Sequence, residues 1–571
     1  MSMSSKTTEI KKPVGSDNVA EEPDAKRQKP LVKDLVKEIV SSDIPLDNPS
    51  ELKEKCTKSS PYPHSQVENL FQPEFMIKLR DEIKANARAN FKESDLFRVY
   101  QTFDMANLDD NPELATVLPN VMTLRELLYS QEWRSFIEQM VGLEAGTLNT
   151  HIDCAFNCHA PGCHLLCHDD VIGTRRVSYI IYLTEEDWEA QEGGSLELYG
   201  DQSDDKDGTC SDPTPVSRVW PKFNSMAFFE VVPGQSFHAV QEVLGDRPRL
   251  SLQGWYHCDR LPENYERATL QQLKQRDEGS DTSDKSNSKL KYKFQEEKPD
   301  EVYSEEDRKY LSKYIQEIYL TEESMEDVRK KFEEDSSVQL RNFLVDKWVP
   351  KVEPQKEVTY DDAHYKWGIS SEWKIRGPAH KQRFLEYHEE VNDPDDSKIV
   401  GSLMHHVKTN VFQSEPFSRY LKRITSLGKP MGVKEGQIRW FRPGLDYTVA
   451  HHGLLMNQSV LDATMCFVCD DTEEDKDAWE SGDIGGFECY IEAEDNEEAD
   501  DEYNEEDDTE LLSVSASNNT LSLVYRDPGT MRFVKYVGNS APSSRYDINM
   551  EYTVPESTEE SEAEEEVDVG F

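Results

Sequence analysis

Apolar residues recur every three or four positions in several segments, which is the spacing of one buried face of an α-helix. One such segment spans residues 31–40, and two more span residues 73–88 and 123–141. A fourth apolar stripe consists of Tyr310, Leu311, Tyr314, Ile315 and Ile318. Helices are therefore predicted in the first quarter of the chain and again after residue 300.

The pattern changes between Leu148 and His257 to short runs rich in β-branched and aromatic residues, separated by Gly, Pro and Asp. The clearest runs are HIDCAF, RRVSYIIYL, GSLELY, SMAFFEVV and RLSLQGWYH. Several strands at such short spacing predict an antiparallel sandwich or barrel. A second β-rich section runs from about residue 436 to residue 554. The fold is therefore predicted to be mainly β with supporting α-helices.

The two β-rich sections share a pattern that indicates an internal repeat. Nine positions separate Asn224 from Pro233 in the first section and Asn519 from Pro528 in the second. A Gly-Gly pair precedes a strand in both sections, and a later strand opens with arginine in both. These matches are Gly193-Gly194 with Gly485-Gly486, and Arg249–Tyr256 with Arg545–Tyr552. Two related β domains in tandem are therefore predicted.

Charge is distributed unevenly along the 571 residues, whose formal net charge is −49. Residues 470–510 contribute −21 of this charge and residues 551–571 contribute −9. Phosphate binding requires a basic footprint, so direct nucleic-acid binding is not expected. No apolar run approaches the ~20 residues that span a membrane, and the N-terminus has no secretory signal. The ten cysteines are accordingly expected to be reduced thiols in the cytosol or nucleus.

Composition also predicts how the chain is organised. The predicted segments are a disordered tail at 1–30, a first domain at 31–265, a linker at 266–300, a second domain at 301–555 and an acidic disordered tail at 556–571. The acidic run at about 470–510 is expected to be a solvated loop inserted between strands of the second domain.

The N-terminal tail carries two basic clusters, Lys11-Lys12 and Lys26-Arg27-Gln28-Lys29. Two such clusters on a flexible polar segment resemble a bipartite nuclear localisation signal. The alternative is that basic residues occur in a disordered tail by chance.

The first β section contains a set of side chains typical of a non-haem iron site. His168 and Asp170 are two positions apart, so in an extended strand they would point to the same face. His238 follows the Pro233-Gly234 turn, seventy residues after His168. Two histidines and one carboxylate form a facial triad, which leaves three positions of Fe(II) open for a bidentate oxo-acid and dioxygen.

An oxo-acid with a distal carboxylate also needs a cation to hold that carboxylate. Arg249 lies eleven residues after His238 at the start of a strand and offers a bidentate guanidinium. Ser251 lies on the same strand face, and Tyr182 lies in an apolar strand where its hydroxyl needs a buried partner. Each residue alone would more often be an ordinary core or surface residue. Their order within one β section favours a binding site.

Four cysteines cluster beside the histidine-aspartate pair, with two histidines between them. They are Cys154, Cys158, Cys163 and Cys167. A zinc site is conceivable, but the spacing departs from the usual pairs separated by two residues. Structural thiols are the preferred interpretation.

The chain resembles the 2-oxoglutarate- and Fe(II)-dependent oxygenases, and more closely the ribosomal prolyl 3-hydroxylase family. The matching stretches are CHDDVIGTRRVSYIIYL, GGSLELY, FNSMAFFEVVPGQSFHAVQEVLGD and RLSLQGWYH. By this resemblance the iron ligands are His168, Asp170 and His238, and the 2-oxoglutarate contacts are Tyr182 and Arg249. All five positions agree with the family's pattern.

The resemblance further implies two double-stranded β-helix (jelly-roll-like) domains in tandem, of which only the first is catalytic. In the second domain Phe533 aligns with His238, and no histidine-x-aspartate motif occurs near His451-His452-Gly453. The second domain is therefore expected not to bind iron. Its expected role is docking, stability or substrate recruitment.

The reaction implied by the resemblance is hydroxylation of a prolyl residue at C3 in a small-subunit ribosomal protein, which affects translation. Fe(II), 2-oxoglutarate and O2 would be required, with L-ascorbate (vitamin C) as reductant. The expected partner is a basic ribosomal protein, with no direct nucleic acid and no membrane, and the expected location is nucleus and cytoplasm. The alternatives are a non-catalytic scaffold in translation-linked assemblies and a demethylase on the same fold.

Overall fold

The structure is a computed structural model. It describes residues 32–46, 48–202, 212–274, 290–298, 302–355, 362–388, 400–451, 458–493 and 510–555. The basic clusters of the N-terminal tail, the C-terminal acidic tail and residues 494–509 of the acidic run lie outside these ranges. No helix within them is long and apolar enough to cross a lipid bilayer.

The first half of the chain contains seven α-helices and eleven strands among its described residues. The helices are α1 (Val32–Ile39), α2 (Ser50–Thr57), α3 (Pro73–Asn86), α4 (Pro112–Val117), α5 (Pro119–Leu128), α6 (Gln131–Val141) and α7 (Thr269–Lys274). The strands are β1 (His64–Glu68), β2 (Asn90–Glu93), β3 (Phe97–Asp104), β4 (Ile152–His159), β5 (His164–His168), β6 (Arg175–Tyr182), β7 (Leu196–Tyr199), β8 (Pro215–Val219), β9 (Ser225–Glu230), β10 (His238–Val240) and β11 (Arg249–His257).

The second half repeats this organisation within the described ranges. Its helices are α8 (Glu305–Leu311), α9 (Glu322–Asp335), α10 (Asp362–Tyr365), α11 (Val400–Val407), α12 (Glu415–Thr425) and α13 (Glu473–Ser481). Its strands are β12 (Tyr292–Lys293), β13 (Ser337–Leu340), β14 (Trp373–Arg376), β15 (Gln382–Tyr387), β16 (Gly432–Phe441), β17 (Tyr447–Thr448), β18 (Val460–Phe467), β19 (Glu488–Glu492), β20 (Glu510–Val514), β21 (Thr520–Arg526), β22 (Thr530–Val534) and β23 (Arg545–Thr553).

Strand order is the same in both halves. The first sheet runs β1-β9-β6-β11-β4-β3-β5-β10-β7-β8. The second half has one sheet ordered β13-β21-β18-β23-β16-β15-β14 and another ordered β20-β19-β22. The central strands β9-β6-β11-β4 correspond to β21-β18-β23-β16, and all these pairs are antiparallel. The predicted fold class, two tandem double-stranded β-helices with supporting helices, is confirmed.

Helices cover one face of each large sheet, so a central strand is buried on both faces. In β6, Tyr179 and Ile181 pack in the core beneath the helices, whereas Ile180 and Tyr182 belong to a separate core cluster with β7. In β18, Leu461, Ala463 and Met465 pack beneath helices, while Asp462 and Thr464 are buried on the opposite face. The interior of the first domain is partly apolar, and that of the second combines buried polar residues with a smaller apolar cluster.

Two buried asparagines show how closely the halves match. Asn224 and Asn519 have positive φ angles of 56° and 47°. Asn224 bonds the backbone of Phe71 through both its amide atoms, at 3.1 and 2.8 Å. Asn519 bonds the backbone of Leu344 in the same way, at 2.9 Å for each bond. The side chain therefore fixes an equivalent chain crossing in each half.

Three predicted elements differ from the structure. The helix predicted over 123–141 is two helices, because the Ser130 hydroxyl accepts from Trp133 N at 3.2 Å and begins α6. The stripe from Tyr310 to Ile318 does not form one helix, since α8 ends at Leu311 and Ile318 is 65% exposed. The acidic run is not simply a loop, because it contains the helix α13 and the strand β19.

The two domains pack directly against each other. Across the contact, Tyr365 donates to Glu197, and Arg383 Nη1 donates to the Tyr199 hydroxyl at 3.2 Å. Glu242 accepts from the Tyr536 hydroxyl at 3.1 Å. Strand β7, which carries Glu197 and Tyr199, pairs with β10 in the first domain. The second domain therefore contacts β7 of the first domain, the strand that pairs with β10.

Equivalent edges of the two domains face each other at this contact. Gln241 N donates to Ser195 O and Lys535 N donates to Phe487 O, both at 2.9 Å. Each acceptor directly follows a Gly-Gly pair, so Gln241 corresponds to Lys535. The next residues, Glu242 and Tyr536, are therefore equivalent, and they contact each other. A pseudo-two-fold relation between the domains follows, similar to the isologous contact of a symmetric dimer.

Candidate active site

Three predicted metal ligands meet where β5 ends and β10 begins. His168 and His238 are directly opposite in the antiparallel pair, and their ring centroids are 4.3 Å apart. Asp170 Oδ1 lies 3.0 Å from His168 Nε2, and its Oδ2 lies 3.2 Å from His238 Nε2. Ligands at ~2.1 Å from one metal ion are separated by about 3.0–3.4 Å, so the spacing suits a bound ion.

The ligand atoms are oriented by backbone groups. His168 Nδ1 lies 2.8 Å from Leu166 O, and His238 Nδ1 lies 2.8 Å from Ser236 O. A proton on Nδ1 leaves the Nε2 lone pair directed towards the metal position. Burial by itself would raise the pKa of Asp170, but the two imidazoles hold that pKa well below its usual range. The carboxylate is therefore ionised and ready to bind a cation.

Strand alternation does not explain why His168 and Asp170 converge. Strand β5 ends at His168, and Asp170 has a φ of 62° in the turn that follows. This left-handed residue turns the carboxylate back towards the imidazole. The two-residue spacing correctly predicted that His168 and Asp170 meet, but strand alternation, the reason expected from that spacing, was wrong.

Asp169 was not singled out from the sequence, yet it fixes this turn. The carboxylate of Asp169 accepts from Gly234 N at 2.9 Å and from Thr269 N at 3.0 Å. The Ser236 hydroxyl donates to Asp169 O at 3.0 Å, and Ser236 O is the partner of His238. One buried carboxylate thus joins the turn after β5 to the turn before β10. The only sequence signal is the second aspartate next to the motif.

Arg249 is fully buried at the start of β11. Its Nε donates to Gly194 O at 2.8 Å, and its Nη1 donates to the Ser251 hydroxyl at 3.3 Å. Its Nη2 has no hydrogen-bond partner, and no carboxylate of the described residues pairs with it. Removing a charge from water without a counter-ion is costly, so the pocket is incomplete without an anion.

Tyr182 lies against this guanidinium, with Arg249 Cζ 5.1 Å from the centre of its ring. Its hydroxyl is buried and makes no hydrogen bond of good geometry, although the Arg249 guanidinium is close enough to interact with it. A donor from tyrosine and a donor from arginine thus remain unsatisfied next to each other. A carboxylate would satisfy both, as the sequence predicted for these two residues.

Comparisons with known proteins agree with this chemistry. Residues 154–257 match the 2OG-Fe(II) oxygenase superfamily, and residues 306–561 match "Oxoglutarate and iron-dependent oxygenase degradation C-term". "Prolyl 3,4-dihydroxylase OGFOD1" of Ostreococcus tauri is 38% identical over 86% of this chain and 95% of its own length. The chain belongs to the 2-oxoglutarate- and Fe(II)-dependent oxygenases.

Other relatives are more distant. "Prolyl 3-hydroxylase OGFOD1" of Xenopus laevis is 28% identical over 85% of this oxygenase and 84% of its own length. Among solved structures, a Pseudomonas putida prolyl-4-hydroxylase is 20% identical to this chain. The match covers 36% of this chain and 98% of the hydroxylase, with a TM-score of 0.26.

Two further residues shape the oxo-acid pocket of this oxygenase. Gly194 has a φ of 72°, and a Cβ atom there would lie 2.8 Å from Arg249 Cδ. His159 is buried beside Arg249, with Nδ1 3.5 Å from Nη1. Burial and the neighbouring guanidinium hold the pKa of His159 well below its usual value, so the imidazole is neutral. The Gly-Gly pair marks the repeat in the sequence, and the structure shows that the second glycine also makes room for the Arg249 side chain.

The second domain has Arg532, not Phe533, at the position of His238. His238 pairs with Leu198, four residues beyond the first Gly-Gly pair, and Arg532 pairs with Tyr490, four residues beyond the second. The alignment with Phe533 was wrong because the turn before β22 is one residue shorter than the turn before β10.

His168 is replaced by Ala450 in the second domain. Gly162 N donates to Val243 O at 2.9 Å, and Gly444 N donates to Val537 O at 2.8 Å, so these two turns correspond. Six residues beyond each glycine lie His168 and Ala450. The counterpart of Asp170, His452, lies outside the described residues.

The interior of the second domain contains a buried network of four arginines and four carboxylates. Arg532 lies 2.7 Å from Asp462 and 3.1 Å from Glu488. The other pairs are Arg526 with Asp462 at 2.8 Å and with Glu551 at 2.6 Å, and Asp547 with Arg439 at 2.7 Å and with Arg545 at 3.1 Å. The network is formally neutral. Nothing in the hydropathy pattern had predicted it.

The cysteines do not form a metal site with other described residues. All nine described cysteines are free thiols. The groups of His, Cys, Asp and Glu residues close enough to hold an ion contain no cysteine among the described residues. The interpretation as structural thiols is therefore preferred for the cluster beside the triad.

Proposed function

We propose that this oxygenase hydroxylates a prolyl residue of a protein substrate at C3. In this proposal His168, Asp170 and His238 hold the iron, and Arg249 with Tyr182 holds the distal carboxylate of 2-oxoglutarate. The observation that carries the proposal is the unsatisfied pair of donors on Arg249 and Tyr182 in the domain that holds a triad with metal-ligand spacing. Tyr182 packs in one cluster with Phe229, whose ring centre lies 4.7 Å from that of His238. The relatives named as prolyl 3-hydroxylases support proline as the target.

Bound Fe(II), together with 2-oxoglutarate and dioxygen, supplies the oxidising chemistry that the side chains lack. The residues of the chain do the positioning. The backbone carbonyls on the Nδ1 atoms keep both imidazoles in the ligand tautomer, and Asp169 holds the two ligand turns together. Arg249 and Tyr182 orient the co-substrate in a buried, water-poor pocket, where charge-assisted bonds are strongest.

We further propose that the substrate is a basic small-subunit ribosomal protein, modified in the nucleus and cytoplasm. The net charge of −49 supports a basic protein partner, and the two basic clusters in the N-terminal tail support entry into the nucleus.

The test is mass spectrometry of a proline-containing ribosomal peptide after incubation with the protein, Fe(II), 2-oxoglutarate and ascorbate. We expect the peptide to gain the mass of one or two oxygen atoms, with succinate formed in proportion. Asp170→Ala should abolish both products, while His388→Ala, in the second domain, should leave them unchanged. A peptide in which the proline is replaced by alanine serves as the substrate control.

Two results would contradict the proposal. If wild type and Asp170→Ala are equally inactive with ribosomal peptides and with intact small subunits, the scaffold alternative is favoured. If methylated lysine loses a methyl group while proline stays unmodified, the chain is a demethylase.

A further inference from the structure

A second set with the same residue types, His-x-Asp and a distant His, lies at the other end of the first domain. His151 directly precedes β4, Asp153 is two positions further on, and His257 ends β11. His257 N donates to His151 O at 3.3 Å, so the two histidines are cross-strand neighbours. Here strand alternation does place His151 and Asp153 on one face.

The side-chain geometry matches that of the iron triad. Asp153 Oδ1 lies 3.3 Å from His151 Nε2, and Oδ2 lies 3.1 Å from His257 Nε2. The two rings stack with centroids 4.1 Å apart, and the ligand atoms of all three residues lie within 4.8 Å of one another. The spacing again falls near the ~3.0–3.4 Å expected for ligands that share an ion at ~2.1 Å.

The ring of His257 is oriented as a ligand. Its Nδ1 lies 3.0 Å from the Thr174 hydroxyl, and its Nε2 is buried and without a hydrogen bond of acceptable geometry. A partner on Nδ1 is the usual outer contact of a metal-binding histidine. We infer that His151, Asp153 and His257 form a second divalent metal site, of a kind that suits Zn(II).

Position separates this site from Arg249, the residue proposed to hold 2-oxoglutarate. Arg249 begins β11 and His257 ends it, eight residues further, which is about 26 Å along a strand. The His151 side chain is 65% exposed, so water can complete the coordination of the ion. The site is therefore open and independent of 2-oxoglutarate.

One neighbour opposes cation binding. Arg175 Nε lies 3.5 Å from Asp153 Oδ2, and its guanidinium stacks 3.7 Å above the Trp255 ring. Its charge repels a bound ion and competes for the same carboxylate oxygen. Replacing Arg175 with glutamine should therefore tighten metal binding, whereas replacing His151 should weaken it.

The experiment uses the full chain, stripped of metal by a chelator, and measures Zn(II) stoichiometry by equilibrium dialysis. We expect two ions per chain for wild type and one for His168→Ala/Asp170→Ala, which lacks the iron triad. Adding His151→Ala to that variant should remove the last ion. His388→Ala is the matched control, because Nε2 of His388 lies 3.6 Å from Glu386 in a pair that lacks a second histidine among the described residues.

Affinity and spectra sharpen the result. Arg175→Gln should tighten Zn(II) binding to the triad-deleted protein by about ten-fold, and Co(II) should give an absorption band that His151→Ala abolishes. If the triad-deleted protein binds no ion, or if adding His151→Ala to it leaves one ion bound, the cluster is only an ion pair and the inference is overturned. Circular dichroism checks that each variant remains folded.

Discussion

The two β domains share one fold, but a buried arginine at the start of an equivalent strand has a carboxylate partner among the described residues only in the second domain. Arg249 in the first domain has Ser251 two positions along its strand and lacks a carboxylate partner within the described residues. Its counterpart Arg545 has Asp547 at the position of Ser251, 3.1 Å away. Both guanidinium groups keep buried nitrogens without a hydrogen bond, but only the charge of Arg545 is balanced by a neighbouring carboxylate of the described residues. The missing carboxylate, more than the presence of arginine, marks the functional pocket.

The comparison extends to the metal position. Where the first domain has His168 and His238, the second has Ala450 and Arg532. Arg532 brings a positive charge to the place of a cation ligand, and it is held there by Asp462 and Glu488. The second domain thus uses its interior for an ion network, and its residues Tyr365 and Arg383 contact β7 of the first domain.

The largest effect is expected when the network loses one charge. Arg532→Met leaves Asp462 and Glu488 without this partner in a buried site, so the free energy of unfolding should fall by about 3–5 kcal/mol. Urea denaturation of the metal-free protein measures it. Arg532→Met combined with Glu488→Leu should recover part of the loss. A single variant as stable as wild type would show that the network contributes little.

The matched change in the first domain should affect activity instead. Arg249→Met removes the cation that orients 2-oxoglutarate, so kcat/KM for that co-substrate should fall about 1000-fold, or ~4 kcal/mol. The metal-free protein should be at least as stable as wild type, because an unpaired buried charge is lost. Steady-state kinetics and urea denaturation give the two values. If Arg249→Met lost much stability with little change in kcat/KM, Arg249 would be a structural residue like Arg532 and would not hold the co-substrate.

The contact between the domains should respond to pH. Burial raises the pKa of Glu242 from 4.5 to about 7. Between these values the folded protein binds more protons than the unfolded chain, so this group makes stability fall as pH rises. Glu242→Gln should remove this dependence and be relatively more stable by about 3 kcal/mol at pH 8 than at pH 4. Subtracting the unfolding free energy of wild type from that of Glu242→Gln at each pH gives the contribution of Glu242 alone. A difference that does not change with pH would exclude a raised pKa for this group.

The smallest effect concerns the acidic run of the second domain. Replacing residues 494–509 with a Gly/Ser segment of equal length should leave turnover of a short peptide unchanged. Binding of a full-length basic protein should weaken roughly three- to ten-fold at low salt and converge with wild type at high salt. Kinetic binding measurements at two ionic strengths test this. If wild type and the variant bind the basic protein equally at low salt, residues 494–509 do not attract it electrostatically.

Much of the candidate site was predictable because its residues are few and their order is unusual. His168, Asp170 and His238 meet at metal-ligand spacing, and Arg249 lies against Tyr182 in the same domain, as their order predicted. The reasons were less predictable. Asp170 reaches the metal position through a left-handed turn, and Asp169 joins two turns that are distant in sequence. Both features depend on backbone geometry that residue spacing does not encode.

The register of the second domain could not be derived from the sequence either. A turn shorter by one residue moves Arg532 into the place of His238, and one step along a strand reverses the face on which a side chain lies. Polar residues in β18 alternate with apolar ones, which in a single sequence resembles a solvent-exposed face. Only the tertiary structure shows that those polar residues are buried with partners.

The sequence by itself determined the fold class and the repeat and predicted the five candidate site residues, because periodicity and rare side-chain combinations are local properties. Tertiary structure decided which arginines are paired, which turns orient the ligands and how the two domains meet. The physical reason is that the free energy of a buried charge depends on its neighbours in space. In this chain those neighbours come from strands and turns that are far apart in sequence.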